Sequence, residues 1–213
     1  MQDVSIPRTR DSGDTYAYSH DEVKKMLTVL AEPAKTIVAV AAYSGLRRGE
    51  IQGLRWEDYD GSYLHVARSL WEGIVSEPKT ESSKAPVPVI PTLSRHLDTW
   101  RFTRQSPRSG VMFVTARGTP LRLNNLLRGQ MLPAFASAGL EWHGWHGFRR
   151  GLATNLHREG VDDLTIRNIL RHSDVAVTQR SYIKPVSEKS VDAMTKLDER
   201  LSTLDSPSEP VVQ

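Results

Sequence analysis

The sequence predicts a mainly α-helical domain with one small antiparallel β-sheet inserted near its first third. Apolar residues recur at helical spacing through most of the 213-residue chain. By contrast, residues 61–90 form short β-branched or alternating runs separated by Gly, Pro and Ser, which favours strands. The chain lacks βαβ alternation, a Rossmann glycine pattern and a P-loop, so the sequence implies neither a dinucleotide nor ATP, and we expect no cofactor.

The first helix is predicted to begin after a linker or frayed N-terminus at residues 1–18. Ser19 and Glu22 form a capping box, and apolar residues then follow at helical spacing. Residues 34–43 are apolar nearly all round, which predicts a central helix, and Gly45 suits its C-cap. Further helices are predicted at about 48–54, 92–105, 122–138, 146–159, 163–171, 175–183 and 186–202.

Three segments are predicted to form a sheet of two or three strands. They are SYLHV, GIVSE and APVPVI. Prolines at 86, 88 and 91 place the last of them at an edge, because proline cannot donate to a β-ladder.

Composition narrows the class of protein. The net charge of +3 permits a polyanionic partner without requiring one. Since the chain has no cysteine, disulfides and thiolate metal sites are excluded. It also lacks the H-E-x-x-H motif and any acidic cluster with ligand spacing, so we predict no metal site. We expect a cytoplasmic protein with no membrane partner, because no signal peptide and no apolar run of about 18 residues is present.

The segment GLRRGE places Arg47 and Glu50 three residues apart, on one helix face. An ordinary surface ion pair would explain this spacing and would contribute little to stability. Arg47 directly follows the most apolar helix, however, and an arginine close to a core needs a partner. Glu50 could orient its guanidinium and leave part of the donor fork available.

The segment HGFRRG places His146 and Arg149 three residues apart, so both can face one point. A histidine exchanges protons near neutral pH, and an arginine holds an anion. Arg150 would point about 100° away, toward a carboxylate or a DNA backbone. In the turn KTESSK, we interpret Lys84 as a solvated residue, whereas Lys79 at the strand end could point elsewhere.

In LRHSDVAVTQRSY, His172 closes one helix and Tyr182 ends the next. A tyrosine there is commonly half-buried packing. Its phenol is a poor nucleophile unless nearby cations or a base favour the phenolate.

Four stretches together resemble the catalytic domain of the tyrosine recombinases, the phage-integrase family. They are YSGLRRGEIQGLRW, EPKTESSKAPVPVIP, HGFRRGLATNLHREG and LRHSDVAVTQRSYIK, in that order within residues 19–185. The resemblance implies that family's catalytic-domain fold and metal-free DNA strand cleavage and rejoining.

The resemblance also implies roles for individual residues. Arg47 and Arg149 would grip the scissile phosphate, with Glu50 bracing Arg47. Lys79 would donate a proton to the departing 5′ oxygen, and His146 would act as general acid or base. His172 would hydrogen-bond the phosphate, and Tyr182 would attack it to leave a 3′-phosphotyrosyl link.

Two departures from the family pattern stand out. His172 and Tyr182 are ten residues apart, one more than in many relatives, which rotates a helical side chain by about 100°. Tyr182 remains the candidate nucleophile because no other tyrosine follows Tyr63. The family's N-terminal core-binding domain is not recognisable, so we expect a catalytic domain without it, with weak DNA affinity and little site-specific recombination on its own.

The partner implied is double-stranded DNA, bound by a homo-oligomer (a tetramer) on DNA that is monomeric in isolation. Residues 186–202 would dock on a neighbouring protomer or pack on their own domain, and 203–213 would form a disordered tail. The resemblance places the protein in a bacterium, associated with the nucleoid or encoded by a mobile element. The polar face of the predicted helix 122–138 has two interpretations, a DNA-facing surface or an ordinary solvated face. Its polar residues are Arg122, Asn124, Asn125 and Arg128.

Two other functions compete. A type IB topoisomerase shares the chemistry, and a non-catalytic DNA-binding module would share the surface. An RNA-binding protein is remote, because the sequence has no aromatic-rich stacking motif.

Overall fold

The computed structural model describes residues 15–71, 73–77, 84–106 and 109–171 of the chain. Three predicted site residues, Lys79, His172 and Tyr182, lie outside these residues. So do the predicted helices at 175–183 and 186–202, the tail at 203–213 and most of the predicted N-terminal linker.

The first two helices form as the sequence predicts. Helix α1 spans His20–Val29, and the capping box between Ser19 and Glu22 is complete. Helix α2 spans Ala34–Ser44 and ends at Gly45, whose φ of 62° is a left-handed conformation that glycine adopts freely. Nearly all of α2 is buried, and it packs against α1.

A short helix and two small β-ribbons follow. Helix α3 spans Arg48–Gly53, and a 3₁₀ turn covers Trp56–Asp58. The four strands are β1 (Tyr63–Leu64), β2 (Ser69–Trp71), β3 (Ile74–Ser76) and β4 (Val87–Pro88).

The prediction of a single sheet of two or three strands is wrong for the described residues, which form two separate antiparallel pairs. Strand β1 pairs with β4, with the buried Leu64 and Val87 opposite each other in the core. Strand β2 pairs with β3 as a hairpin that exposes Trp71, Ile74 and Val75. The β2–β3 hairpin is therefore separate from the β1–β4 pair. The prolines do mark β4 as an edge strand.

The β2–β3 hairpin packs on α3, next to the turn that carries Arg47. A Cβ added to Gly49 would lie 2.4 Å from the Ser69 hydroxyl oxygen and 3.3 Å from the Leu70 carbonyl oxygen, so strand β2 lies directly against Gly49. The Arg48 guanidinium lies over the Trp71 ring at 5.2 Å from its centroid. The hairpin is therefore held beside the site described below.

The remaining helices match the predicted positions. Helix α4 spans Pro91–Arg104, α5 spans Leu123–Leu126, α6 spans Leu132–Ser137, α7 spans Trp145–Arg158 and α8 spans Asp163–Leu170. The predicted helix at 122–138 contains a π-helical turn at Leu127–Met131, between α5 and α6. Pro133 follows this turn and lacks the N–H of a regular helix, which favours the local change in hydrogen bonding.

Helix α2 also packs against α4 and α7, while α7 packs against α8. The central position predicted for α2 is therefore confirmed, and it brings the end of α2 close to α7. Among the described residues, no helix is both long and apolar enough to cross a bilayer.

Tyr18 anchors the segment before α1 to α7. Its ring is buried, its N–H donates to the Gly147 carbonyl at 3.2 Å, and its hydroxyl accepts from the His143 N–H at 2.6 Å. A Cβ added to Gly151 would lie 2.3 Å from the Tyr18 carbonyl oxygen. Glycine at 151 is therefore required for this contact, which fixes the helix that carries His146 and Arg149.

Candidate active site

The turn between α2 and α3 forms one wall of the candidate site. Arg47 lies at the N-cap of α3, and its backbone N–H donates to Glu50 Oε2 at 2.8 Å. Arg47 Nη1 also donates to Glu50 Oε1 at 3.0 Å. The Glu50 side chain is only 7% exposed whereas that of Arg47 is 38% exposed. The alternative of a surface ion pair therefore does not hold, because the carboxylate is buried and the guanidinium reaches solvent.

Arg149 joins this turn to the ends of two other elements. Its side chain is buried in α7, Nη1 donates to the Gly45 carbonyl at 2.6 Å, and Nη2 donates to the Leu170 carbonyl. The carbonyls at the ends of α2 and α8 have no partner within their own helices, so a guanidinium can satisfy both. Arg149 thus fixes the ends of α2 and α8 against α7.

Arg171 completes the cluster from the end of α8. Its side chain is 1% exposed, and Nη2 donates to Glu50 Oε2 at 2.7 Å across 121 positions of sequence. Our sequence analysis missed this residue. The feature of the sequence that points to Arg171 is its place directly before His172, within LRHSDVAVTQRSY.

The pKa of Glu50 is lowered from its usual value, even though burial acts in the opposite direction. Burial of the carboxyl raises the pKa, and this is the largest single effect. The charge of Arg171, the Arg47 N–H and the Arg47 charge together outweigh it. Glu50 therefore remains ionised while holding two arginines.

His146 lies in the first turn of α7 with an exposed side chain. Its pKa is lowered, first by loss of hydration around the ring, then by the positive charges of Arg150, Arg149 and Arg47. Glu50 acts in the opposite sense. A neutral imidazole is therefore favoured beside these three cations, and a neutral imidazole can accept a proton.

Arg150 directly follows Arg149 on α7, and its side chain is partly exposed. Its positive charge lowers the pKa of His146 more than any other single charge does. Within the described part of the chain Arg150 forms no ion pair with a carboxylate. Its contact with a DNA backbone therefore stays a prediction.

The described site residues thus form one cationic cluster. Glu50 binds Arg47 and Arg171, Arg149 binds the turn that carries Arg47, and His146 and Arg150 lie on the same helix as Arg149. Such a cluster can bind an anion and stabilise added negative charge on it. The predicted helix face is separate in sequence, and its polar residues are all exposed, namely Arg122, Asn124, Asn125 and Arg128. In the described ranges, no group of three or more His, Asp or Glu side chains could hold a metal ion.

Comparison with known proteins gives a family match. Residues 17–189 match the phage integrase family. A "Tyrosine recombinase XerC-like" protein of Caldanaerobacter subterraneus subsp. tengcongensis is 26% identical in an alignment that covers 91% of this chain and 56% of that protein. The chain spans about half the length of the curated relatives it matches.

Solved structures give the same fold. The Tn1549 transposon integrase in complex with transposon right end DNA aligns with a TM-score of 0.70 and 18% identity, over 88% of this chain and 68% of that one. A lambda integrase dimer bound to a COC′ core site aligns with a TM-score of 0.59 and 15% identity, over 81% of this chain and 49% of that one. The predicted fold class is confirmed as mainly helical with antiparallel strands and the fold of a tyrosine recombinase catalytic domain. The described strands form two small sheets where one was predicted.

Proposed function

Because this chain belongs to the phage integrase family, we propose that it cleaves and rejoins DNA strands through a covalent link to Tyr182. In the whole protein, this chemistry would carry out site-specific recombination. The observation that carries the proposal is that Arg47, Arg149 and Arg171 meet at the turn between α2 and α3, where Glu50 binds Arg47 and Arg171 and the Gly45 carbonyl binds Arg149. The sequence position of His172 adds support. It directly follows Arg171, whose side chain contacts Glu50 in this cluster.

The charge of the reacting group explains why a cluster of cations is needed. A DNA phosphodiester is already negative, and attack by an oxygen adds further negative charge to the non-bridging oxygens. Arginines held rigidly in a partly dry site stabilise that charge more strongly than water does. Arg47 would contact the phosphate from solvent, while Arg149 would supply charge and hold the surrounding carbonyls in place.

The proposed step balances as a transesterification. The Tyr182 oxygen forms a bond to phosphorus, the bond to the 5′ oxygen breaks, and a 3′-phosphotyrosyl link remains. The phenol proton leaves to a base, for which His146 is the candidate, and Lys79 returns a proton to the 5′ oxygen. His172 would donate a hydrogen bond to the phosphate. Attack by a 5′ hydroxyl reverses the step, so the exchange needs no nucleotide energy source.

The partner in this proposal is double-stranded DNA in the cytoplasm. The exposed polar face of α5 and the π-helical turn would lie toward DNA, since Arg and Asn are the residues that read base edges. The protein would be a monomer in isolation and assemble as a tetramer on DNA. Docking of residues 186–202 on a neighbour would serve that assembly.

Covalent capture on DNA tests the proposal. The probe is a library of random-sequence duplexes, incubated at low salt with and without EDTA. Each duplex carries a nick that lets the short fragment with the new 5′ hydroxyl escape after cleavage. Wild type and the matched control Tyr63→Phe should form a protein–DNA adduct, because Tyr63 is an exposed strand residue outside the site. The variant Tyr182→Phe should form none, and EDTA should not reduce the yield.

Three outcomes would contradict the proposal. DNA binding with no adduct in wild type would indicate a non-catalytic binding module. Relaxation of supercoiled plasmid without strand exchange would indicate topoisomerase activity. An adduct that survives in Tyr182→Phe would assign the nucleophile to another residue.

A further inference from the structure

Arg171 is held in an unusual environment for an arginine. Its side chain is almost completely buried, and it contacts Glu50, a carboxylate that is itself buried. Among the described residues, the buried charged side chains are Glu50, Asp58, Arg149 and Arg171. Three of these four lie at the candidate active site, so charge is buried there rather than distributed through the core.

The backbone at Arg171 is also unusual. It caps α8 with φ of 56° and ψ of 45°, a left-handed conformation that glycine adopts without strain and arginine rarely adopts. A residue held in such a conformation beside a site is a reason to seek a function for its side chain. At this position, the side chain delivers a cation to Glu50.

The contacts show what that cation changes. Glu50 holds Arg47 through two hydrogen bonds, and its negative charge would by itself cancel the positive charge of Arg47. Arg171 Nη2 lies 2.7 Å from Glu50 Oε2, the oxygen that also accepts from the Arg47 backbone. Arg171 therefore neutralises Glu50 from the protein side, and Arg47 keeps its charge for an anion on the solvent side.

We propose that Arg171 is a positioning residue that neutralises Glu50 from within the protein, so that Glu50 can orient Arg47 without weakening its attraction for a DNA phosphate. The inference rests on the proposed function in one respect, namely that the anion bound at Arg47 is a phosphate. The inference adds Arg171 to the site. It also gives the Glu50–Arg171 pair two roles, in folding and in setting the net charge beside Arg47.

Inorganic phosphate is the probe for this proposal. It is titrated at low ionic strength into the full chain, and binding is followed by the NMR signals of the His146 ring. The four proteins compared are wild type, Arg171→Gln, Arg171→Lys and the double variant Glu50→Gln/Arg171→Gln. Thermal unfolding of each protein shows whether it is folded under the conditions of the titration.

Removing one unit of charge should weaken phosphate binding in Arg171→Gln by about threefold to tenfold at low salt. Arg171→Lys keeps the charge and should remain within about threefold of wild type. The double variant removes one positive and one negative charge, and the amide that replaces the Glu50 carboxylate can still accept a hydrogen bond from Arg47. Its affinity should therefore return close to that of wild type.

The double variant separates control of charge from packing. If it binds phosphate as weakly as Arg171→Gln, Arg171 acts only by packing and the proposal is wrong. Unchanged binding in Arg171→Gln would also overturn it, while leaving the proposed function intact. If wild type binds no phosphate near His146, both the inference and the anion site behind the proposed function fail. Should Arg171→Gln fail to fold, Arg171→Lys and the double variant still decide the question.

Discussion

Replacing Glu50 by alanine should destabilise the protein strongly, because it leaves Arg171 buried beside a cavity. Arg171 is 2% exposed and Glu50 is 5% exposed, so water cannot readily replace the lost carboxylate. Removing one partner of a buried ion pair typically costs about 3–5 kcal/mol. For a chain of this size, about 3 kcal/mol corresponds to a decrease in Tm of roughly 6–12 °C.

The assay is thermal or urea unfolding of Glu50→Ala beside a matched exposed control. Glu159→Ala removes the carboxylate of an ion pair with His20, in which both side chains are about 60% exposed. Exposed pairs of this kind contribute about 0–1 kcal/mol. If Glu50→Ala and Glu159→Ala lose the same unfolding free energy relative to wild type, the buried network does not stabilise the site as described.

The pH dependence gives a second test of the same pair. The folded-state pKa of Glu50 is lowered, so its contribution to stability is fully present above the unfolded-state pKa and is lost as the pH falls through the folded-state value. The difference in unfolding free energy between wild type and Glu50→Ala should therefore stay constant from neutral pH to the usual carboxyl range. It should narrow only at more acidic pH. Narrowing near neutral pH would contradict the account.

Three further predictions concern the site, the anchor and the DNA-facing helix. In an NMR titration, Arg150→Gln should move the pKa of His146 up toward its ordinary value, while His96, whose lowered pKa has other causes, should not move. Gly151→Ala should destabilise the chain by about 1–3 kcal/mol, since the added methyl meets the Tyr18 backbone. In the control Gly129→Ala the added methyl meets no atom within 4 Å, so the stability should not change, and equal unfolding midpoints for the two variants would refute the Gly151 contact. Arg128→Ala should lower the salt dependence of DNA binding by about one unit of slope, and an unchanged slope would favour an ordinary solvated face.

Local patterns in the sequence were sufficient to predict most helices. Ser19 and Glu22 signal the start of α1, and the all-apolar run before Gly45 signals both the burial and the end of α2. These signals involve residues within one helical turn, so they do not depend on the rest of the fold. The pair of His146 and Arg149 could be predicted for the same reason, since the spacing alone places both on one face of α7.

Contacts between distant residues could not be predicted in this way. Arg171 meets Glu50 only because α8 ends against the α2–α3 turn, and nothing within either segment indicates the other. The β2–β3 hairpin is a similar case. Its strands have three residues each, and β3 is fully exposed. They therefore lack the apolar alternation that would distinguish a second ribbon from the β1–β4 pair. The proposed roles of Lys79, His172 and Tyr182 remain predictions from the family resemblance.

The most direct test of the central claim is to identify the amino acid joined to DNA after cleavage of the nicked library. Mass spectrometry of the digested adduct should find a single nucleotide-bearing peptide, with the 3′ phosphate attached to Tyr182 and a free 5′ hydroxyl on the released strand. Attachment to any other side chain, or a 5′-phosphate link, would contradict the account.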